Sequence, residues 1–595
     1  MTVTFENKTL IDILKQSQTL FGPKIFMKRF SEDRFVDITF NEFADKASAI
    51  GHGLLSMGLE KGDRVALLSE NRPGWGMSYL GVHVAGGVNV PLDALLKISS
   101  WGHIIRSSGA KALIVSKNFL PEFENIMADL PDLKFIICMD EPASHSSAIS
   151  LKEIEKRGLG YQGKDPEVKI SDIASIIYTS GTTGQAKGVV LSHGNIVSDV
   201  KGLLAVTDIL EGDNFLSVLP IHHTFECTCG FLTPLAVGGC ITYARGLASK
   251  LIIEDIKNNK ATILLGVPLL FEKMYAGITK AIAKQPLTKR VLFKISFSLC
   301  NLLFTAAHAN AGKKIFHGLR DRAGLSSLRL LIAGAAPMPP EVSKAFNLLG
   351  FTFRQGYGLS ECSPVLTLNP LDHYKDASIG KPIVGAELKI IDQDSRGVGQ
   401  IVARGPMVMQ GYYNNPEATC EVLKDGWLYT GDSGWVDEDG FYYITGRVKN
   451  VIVTQAGKNV YPEEIEYELN KSPYILESLV LGRSLEGTRG EEIEAIVVPD
   501  YEYFDSLAAE IGARVSTEDI EKTIKAEVHK LSSGLADFKK VKYIQIRQEE
   551  FEKTSTRKIK RYLFNKKSEL VNRTGRNDSV IRPSEGTNPR KGRIK

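Results

Sequence analysis

Residues 178–188 read Tyr-Thr-Ser-Gly-Thr-Thr-Gly-Gln-Ala-Lys-Gly, a run dense in groups that grip a polyphosphate. Thr179, Ser180, Thr182 and Thr183 bring hydroxyl donors. Gly181, Gly184 and Gly188 let backbone N–H groups approach phosphate oxygens, and Lys187 adds a point charge. The common P-loop ends in Gly-Lys-Ser/Thr, whose hydroxyl serves a metal ion. Here Ala186 precedes Lys187 and Gly188 follows it, so this is not that motif. A Ser/Thr/Gly-rich surface turn uses the same residue types, and the rest of the chain decides between the two.

Working outward, Ile173–Tyr178 just upstream is an apolar, β-branched strand pattern, and Ala261–Val267 and Leu328–Ala333 are further clear strands with turn residues after them. Pro268 suits a first helical position, with Leu269, Leu270 and Met274 following at helical spacing. After Ala333, Gly-Ala-Ala-Pro leads to a helix expected over Pro340–Leu349 and a strand into Arg354. This alternation predicts an α/β fold of doubly wound sheets, with ligands beyond the carboxyl ends of the strands. Short strands at Leu388–Ile391, Ile401–Arg404 and Phe441–Ile444, separated by Gly, Asp and Asn turns, predict a small β-rich subdomain over about 376–446. The expected organisation is a large N-terminal domain over 1–446, a hinge at 447–450, a small mobile α/β domain over 451–564 and a basic tail over 565–595. The tail carries nine Lys/Arg against three acids among Pro, Gly, Ser and Asn, a composition that predicts disorder.

At 595 residues the chain exceeds one core, and about 150 residues per domain gives roughly three to four units. Its 43% hydrophobic and 24% charged residues are those of an ordinary globular protein. A net charge of +4 is too small at this size to announce nucleic acid. The tail also lacks aromatic residues for stacking bases, so no nucleic-acid partner is expected. Seven scattered cysteines fit a reducing, cytoplasmic setting. The N-terminal residues lack a signal-peptide core, and no apolar run reaches the roughly 18 residues of a membrane span.

Further motifs follow in order. Leu219-Pro-Ile-His-His-Thr-Phe-Glu226 comes after a strand pattern. Cys227 and Cys229 lie beside its His pair, but Cys-x-Cys lacks the two-residue gap of a zinc site. Gly334-Ala-Ala-Pro-Met338 is a turn of small residues. Gln355-Gly-Tyr-Gly-Leu-Ser-Glu361 is no dinucleotide fingerprint, since Glu361 replaces the third glycine. Asp432 sits in Tyr-Thr-Gly-Asp-Ser-Gly, Arg447 in Thr-Gly-Arg-Val-Lys, Gly457 in Gln-Ala-Gly-Lys-Asn-Val, and Lys558 in Lys553-Thr-Ser-Thr-Arg-Lys-Ile-Lys-Arg561.

Over roughly residues 20–564, this series resembles the adenylate-forming (AMP-binding) superfamily, which includes acyl-CoA synthetases. The resemblance implies that Thr179 to Gly184 and Lys187 hold the phosphates of ATP, and that Gly334, Ala335, Ala336 and Pro337 form the adenine turn. It also places Gln355, Gly356, Tyr357 and Gly358 at the nucleotide, with Tyr357 stacking on adenine, Ser360 at the α-phosphate and Glu361 on Mg²⁺. A hard cation that keeps its waters needs only one or two carboxylates. Asp432 and Arg447 would bind the ribose hydroxyls, and His223 would lie beside the carboxylate substrate. Lys449 would be the hinge, Gly457 would border the pantetheine channel of CoA, and Lys558 would be the catalytic lysine. The chain departs from the family at Ala186, where Pro is usual, and at Arg557, where Gly is common.

The resemblance implies a ligase that activates a carboxylate as an acyl-adenylate. Glu70-Asn-Arg-Pro-Gly-Trp75 and the long helical stretch between Met274 and Leu328 are similar to the long-chain fatty acyl-CoA synthetase branch. The implied partners are a long- or medium-chain fatty acid, ATP with Mg²⁺, and CoA. Two alternatives stand beside this reading: an acyl carrier protein as acceptor, and a nucleic-acid or membrane binder that uses the tail. Val291–His308 is strongly apolar, interrupted by Lys294 and bracketed by Lys289–Arg290 and Lys313–Lys314. It reads either as a membrane-surface element, giving a cytoplasmic protein peripheral on the inner face of a membrane, or as a buried core helix.

Overall fold

Strands Arg64–Leu68, Ala112–Val115 and Phe135–Cys138 are almost wholly apolar because helices cover both faces of the sheet they build. With Val88–Pro91 they form the parallel heart of an eight-stranded sheet that Ile149–Ser150 closes on one side. On the other side stands Ile173–Ser180, parallel to Val88–Pro91. The chain then turns straight back as Ala186–Ser192, antiparallel, with Thr179 opposite Lys187 and Tyr178 opposite Gly188. The described flanks of the run, Tyr178–Ser180 and Ala186–Gly188, therefore stand on paired antiparallel strands rather than at a strand-to-helix turn, unlike a P-loop. The two-residue strand Gly411–Tyr412 completes this edge against Val189 and Val190.

A second, nine-stranded sheet carries the other expected strands, observed as Ile263–Gly266 and Leu330–Ala333. These are parallel neighbours, Ile263 opposite Leu330 and Gly266 opposite Ala333. The expected helix is observed as Pro340–Leu348, followed by Thr352–Gly358 parallel to Leu330–Ala333. That last strand runs on to pair antiparallel with Val365–Leu368, so the sheet departs from strict parallel winding at its ends. The crossover from Ile263–Gly266 to Leu330–Ala333 holds the helices Pro268–Ala283 and Leu287–Ala307, with Pro268 at the first helical position.

A five-stranded antiparallel sheet comprises Glu387–Ile391, Gly399–Arg404, Leu423–Lys424, Trp427–Val436 and Tyr442–Arg447. Its pairing sets Asp432 opposite Arg447. Beyond the 3₁₀ turn Val448–Asn450, helices Pro462–Leu469 and Thr517–Ser533 accompany a three-stranded sheet of Ile475–Ser484, Glu491–Pro499 and Tyr543–Ile546. This unit buries its own apolar cluster, which includes Val460, Ile465, Val480 and Val528. The fold is thus α/β: a large sheet-rich N-terminal part with a β-rich sheet, followed by a smaller α/β part.

The structure, a computed structural model, describes residues 3–144, 146–180, 186–307, 310–484, 490–512, 515–554 and 558–564. Gly181, Thr182, Thr183 and Gly184, together with His308, Arg557 and the tail 565–595, lie outside the described residues, as does the side chain of Ser180.

Candidate active site

Thr352–Gly358 delivers four of the expected residues and leads directly into a fifth and sixth. Gln355 is fixed by its backbone, whose carbonyl accepts from Asn369 N–H at 2.9 Å, and by its side chain, which donates to the Ser378 carbonyl at 3.2 Å. Gly358 is obligatory, since a Cβ there would stand 1.7 Å from the Pro364 carbonyl oxygen. The strand gives way to the 3₁₀ turn Ser360–Cys362, which aims Glu361 toward the phosphate hairpin. Tyr412 donates to Glu361 Oε1 at 2.9 Å, and the Glu361 carbonyl accepts from Met409 N–H at 2.8 Å. Lys187 lies 5.1 Å from the centre of the Tyr412 ring. Tyr412 thereby ties the hairpin's lysine to the candidate metal carboxylate. The Ser360 hydroxyl is 3.4 Å from that of Thr224, in the His223 segment.

Asp432 is the hub on the other side. The Tyr357 hydroxyl donates to its Oδ2 at 2.6 Å, and Arg447 Nε donates to its Oδ1 at 2.8 Å. Burial pushes the Asp432 carboxyl above its ordinary pKa, opposed by Arg447 and then by the Tyr357 bond. Lys558 comes from the chain's last described segment into the same cleft, where its charge is felt by Asp432 and His223. Its own pKa is lowered, by burial first and then by Arg447, against the pull of Asp432 and Glu361. The residue keeps solvent-exposed surface although protein surrounds its ammonium, as in an open cleft.

His223 lies in the turn that follows strand Asn214–Ser217, just before the π-helix Phe225–Leu232, an uncommon element that recurs at functional sites. Its ring lies 4.3 Å from that of His222, which faces Asp93 at 3.3 Å. Burial, with His222 next, lowers the His223 pKa to about 3, so this imidazole is neutral near pH 7. Asp93, His222 and His223 bring ligand-type atoms within 4.8 Å of one another. Cys227 and Cys229 are no part of such a cluster: burial raises the Cys227 thiol to about 12 and Cys229 well above its ordinary value, so both stay protonated. Glu226 is buried too, bonds Ser217 and is pushed up to about 8. Gly230 makes room for it, because a Cβ at Gly230 would meet the carboxyl at 2.7 Å.

The turn after Leu330–Ala333 holds Gly334, Ala335, Ala336 and Pro337. Phe225 packs on Gly334, 3.2 Å from where a Cβ would stand, which joins this turn to the His223 segment. Ala335 has φ 71°, a left-handed conformation that costs a non-glycine residue about 1–2 kcal/mol and marks a constrained turn. Lys449 lies in the 3₁₀ turn at the end of strand Tyr442–Arg447. Gly457 stands apart from the cluster, in the turn between Ile452–Val453 and Asn459–Val460. Nothing lies within 4 Å of a Cβ placed there; its φ of 70°, rather than crowding, asks for glycine.

Lys558 thus brings its charge within reach of Glu361, Asp432, Arg447 and His223, with Lys187 linked to Glu361 through Tyr412. Tyr412, Thr224 and Asp93 were not singled out from the sequence, and His222 only as half of the His pair. Tyr412 had a signal, an aromatic pair among turn residues in Gly411-Tyr-Tyr-Asn-Asn, but its partners come from far along the chain.

Comparison with known proteins bears on the family and the fold. The chain is 28% identical over 583 residues to the long-chain-fatty-acid–CoA ligase FadD15 of Mycobacterium bovis, covering 90% of this chain and 92% of that one. It is 27% identical over 605 residues to the Arabidopsis thaliana chloroplastic long-chain-fatty-acid–[acyl-carrier-protein] ligase AEE15, covering 89% and 81%. Its fold matches the crystal structure of the anthranilate CoA ligase AuaEII in complex with anthranoyl-AMP, with a TM-score of 0.74 at 23% identity over 95% of this chain and 98% of that one. The family model for AMP-binding enzymes matches residues 18–413, two thirds of the sequence, and the chain belongs to that family.

Proposed function

We propose that this chain is an AMP-forming acid–thiol ligase that activates a long- or medium-chain fatty acid with ATP and passes the acyl group to CoA. The meeting of Lys558 with Asp432, Arg447, Glu361 and His223 in one cleft carries this reading. A carboxylate is a poor electrophile, so its oxygen first attacks the α-phosphorus of ATP and pyrophosphate leaves. The protein's part is to position the partners and to stabilise charge. Asp432, already aimed by Tyr357 and Arg447, accepts from the ribose hydroxyls. Lys558 donates to the carboxylate and to the α-phosphate oxygen. A neutral His223 orients the carboxylate without offering a competing cation. Glu361 suits Mg²⁺, since Tyr412 occupies one carboxylate oxygen and a cation that keeps most of its waters needs little more. The ion would neutralise charge on the departing phosphates. In the second step a thiol attacks the acyl carbon and AMP leaves. In this reading Lys449 is the hinge that withdraws Lys558 and opens the thiol path past Gly457.

The fatty acid and CoA are favoured by the FadD15 relative. A second reading, with an acyl carrier protein as acceptor, is favoured by AEE15. One experiment tests both: pyrophosphate and AMP release across a panel of acids, with CoA, with a carrier protein and with neither. The proposal expects AMP and pyrophosphate, fastest with long or medium acyl chains, and thioester formation with CoA. ADP and orthophosphate would sink the adenylate mechanism, and adenylate that clears only with the carrier protein would establish the second reading.

A further inference from the structure

The helix Leu287–Ala307, in the long crossover between Ile263–Gly266 and Leu330–Ala333, has two apolar sides where a surface helix has one. One side is packed. Phe293 and Phe297 lie 5.6 Å apart, Phe293 is 5.4 Å from Phe316, Cys300 is buried, and Phe304 is 5.7 Å from Tyr374. These recur at helical spacing and account for the helix's hold on the protein. About half a turn away runs a second row, Leu292, Ile295, Leu299 and Leu302, at the same kind of spacing. It is 63%, 61%, 45% and 63% exposed.

Charge around this row is one-sided. Between Glu272 and Asp321 the chain has nine Lys and Arg and no acid, although the whole sequence is nearly balanced at 73 basic to 69 acidic residues. Arg320 is taken up by the carbonyls of Gly350 and Lys313. The other eight, Lys273, Lys280, Lys284, Lys289, Arg290, Lys294, Lys313 and Lys314, are all exposed. No ion pair involves any of them among the described residues.

We infer that this face docks on the surface of an anionic lipid bilayer. Leu292, Ile295, Leu299 and Leu302 enter the boundary between headgroups and acyl chains, while the flanking cations meet lipid phosphates. An exposed apolar row flanked along the chain by exposed Lys and Arg is the pattern of a helix that lies in the interface plane. No described helix is long and apolar enough to cross a membrane, so the helix lies on the bilayer rather than spanning it. A second copy of the chain fits worse, because apposing the same face would set cation against cation with no acid from the span between Glu272 and Asp321 to offset them. The inference rests on the surface alone and holds whichever acid the cleft takes.

The test is co-sedimentation of the full chain with vesicles of phosphatidylcholine, with and without phosphatidylglycerol, at low and high salt. Two variant sets are compared with the wild type: Leu292→Ser with Ile295→Ser and Leu299→Ser, and Lys289→Glu with Arg290→Glu and Lys294→Glu. The wild type is expected to bind the phosphatidylglycerol vesicles and to be released by salt. Each set should weaken binding at least about tenfold, the first through lost apolar burial and the second through lost surface cations. Melting temperature and pyrophosphate release with a water-soluble short acid should stay unchanged. Failure of the wild type to bind would overturn the proposal. So would binding that survives both sets, which would assign it to another surface such as residues 565–595. A concentration-dependent dimer that the same substitutions abolish, without vesicle binding, would assign the face to self-association.

Discussion

Replacing Lys558 with Met keeps the side chain's bulk and removes the ammonium from beside Asp432 and Glu361. Loss of one preorganised donor costs about 10²–10³ in rate. Adenylate formation by Lys558→Met should fall by at least that much, while thioester formation from supplied acyl-adenylate should fall far less. Equal losses in the two steps, measured separately, would remove the lysine from the role assigned to it. Glu226 gives a prediction about stability. Its folded pKa of about 8 lies above the ordinary 4.5, so between those values the folded state holds a proton that the unfolded state releases. Stability from this site is therefore full below about pH 4.5 and declines as pH rises toward 8. Glu226→Gln has no proton to release, so the variant should gain on the wild type as pH rises. The gain should be at most about 3 kcal/mol near pH 7. Urea unfolding at several pH values checks this, and a pH-independent difference would mean that the carboxyl is ionised in the folded protein.

At the scale of elements, strand Thr352–Gly358 and the turn after it carry Tyr357, Ser360 and Glu361, the residues proposed for the base, the α-phosphate and the metal, along one uninterrupted backbone. Gly358→Ala drives a methyl into the Pro364 carbonyl. The expected outcome is a loss of several kcal/mol, as for overpacking that backbone must absorb, with activity lost alongside. Gly457→Ala meets no atom and bears only the left-handed φ, so it should cost about 1 kcal/mol. Thermal melts of the two variants should differ widely; similar melts would mean that the turn at Ser360–Cys362 yields easily. These elements also show what the sequence disclosed. Strand Leu330–Ala333 and helix Pro340–Leu348 matched expectation within a residue or two, because apolar runs between Gly and Pro signals are local. The return of Ile173–Ser180 as an antiparallel hairpin was not legible, since Ala186–Ser192 has apolar residues that suit either direction of pairing.

For the whole molecule, among the described residues Lys558 meets Glu361, Asp432, Arg447 and His223, whereas the links between such residues could not be read beforehand. Tyr412 reaches Glu361 from a two-residue strand whose place depends on pairing with Val189, and Asp93 reaches His222 only once both sheets are built. Side-chain partners set by tertiary pairing leave no periodicity in the chain. If Lys449 is the hinge, Lys449→Pro, which holds φ near about −65°, should slow thioester formation more than adenylate formation. Single-turnover measurements of each step check this, and an unchanged second step would place the pivot elsewhere. The crossover from Ile263–Gly266 to Leu330–Ala333 leaves and re-enters neighbouring strands in parallel register, so the sheet constrains only its two feet. Inheritance can act on that span as on a replaceable part. Insertions, deletions and new surfaces there can change where the enzyme lodges without disturbing the residues that react. Thr352–Glu361 has no such licence, because one added residue would turn Tyr357 away from Asp432.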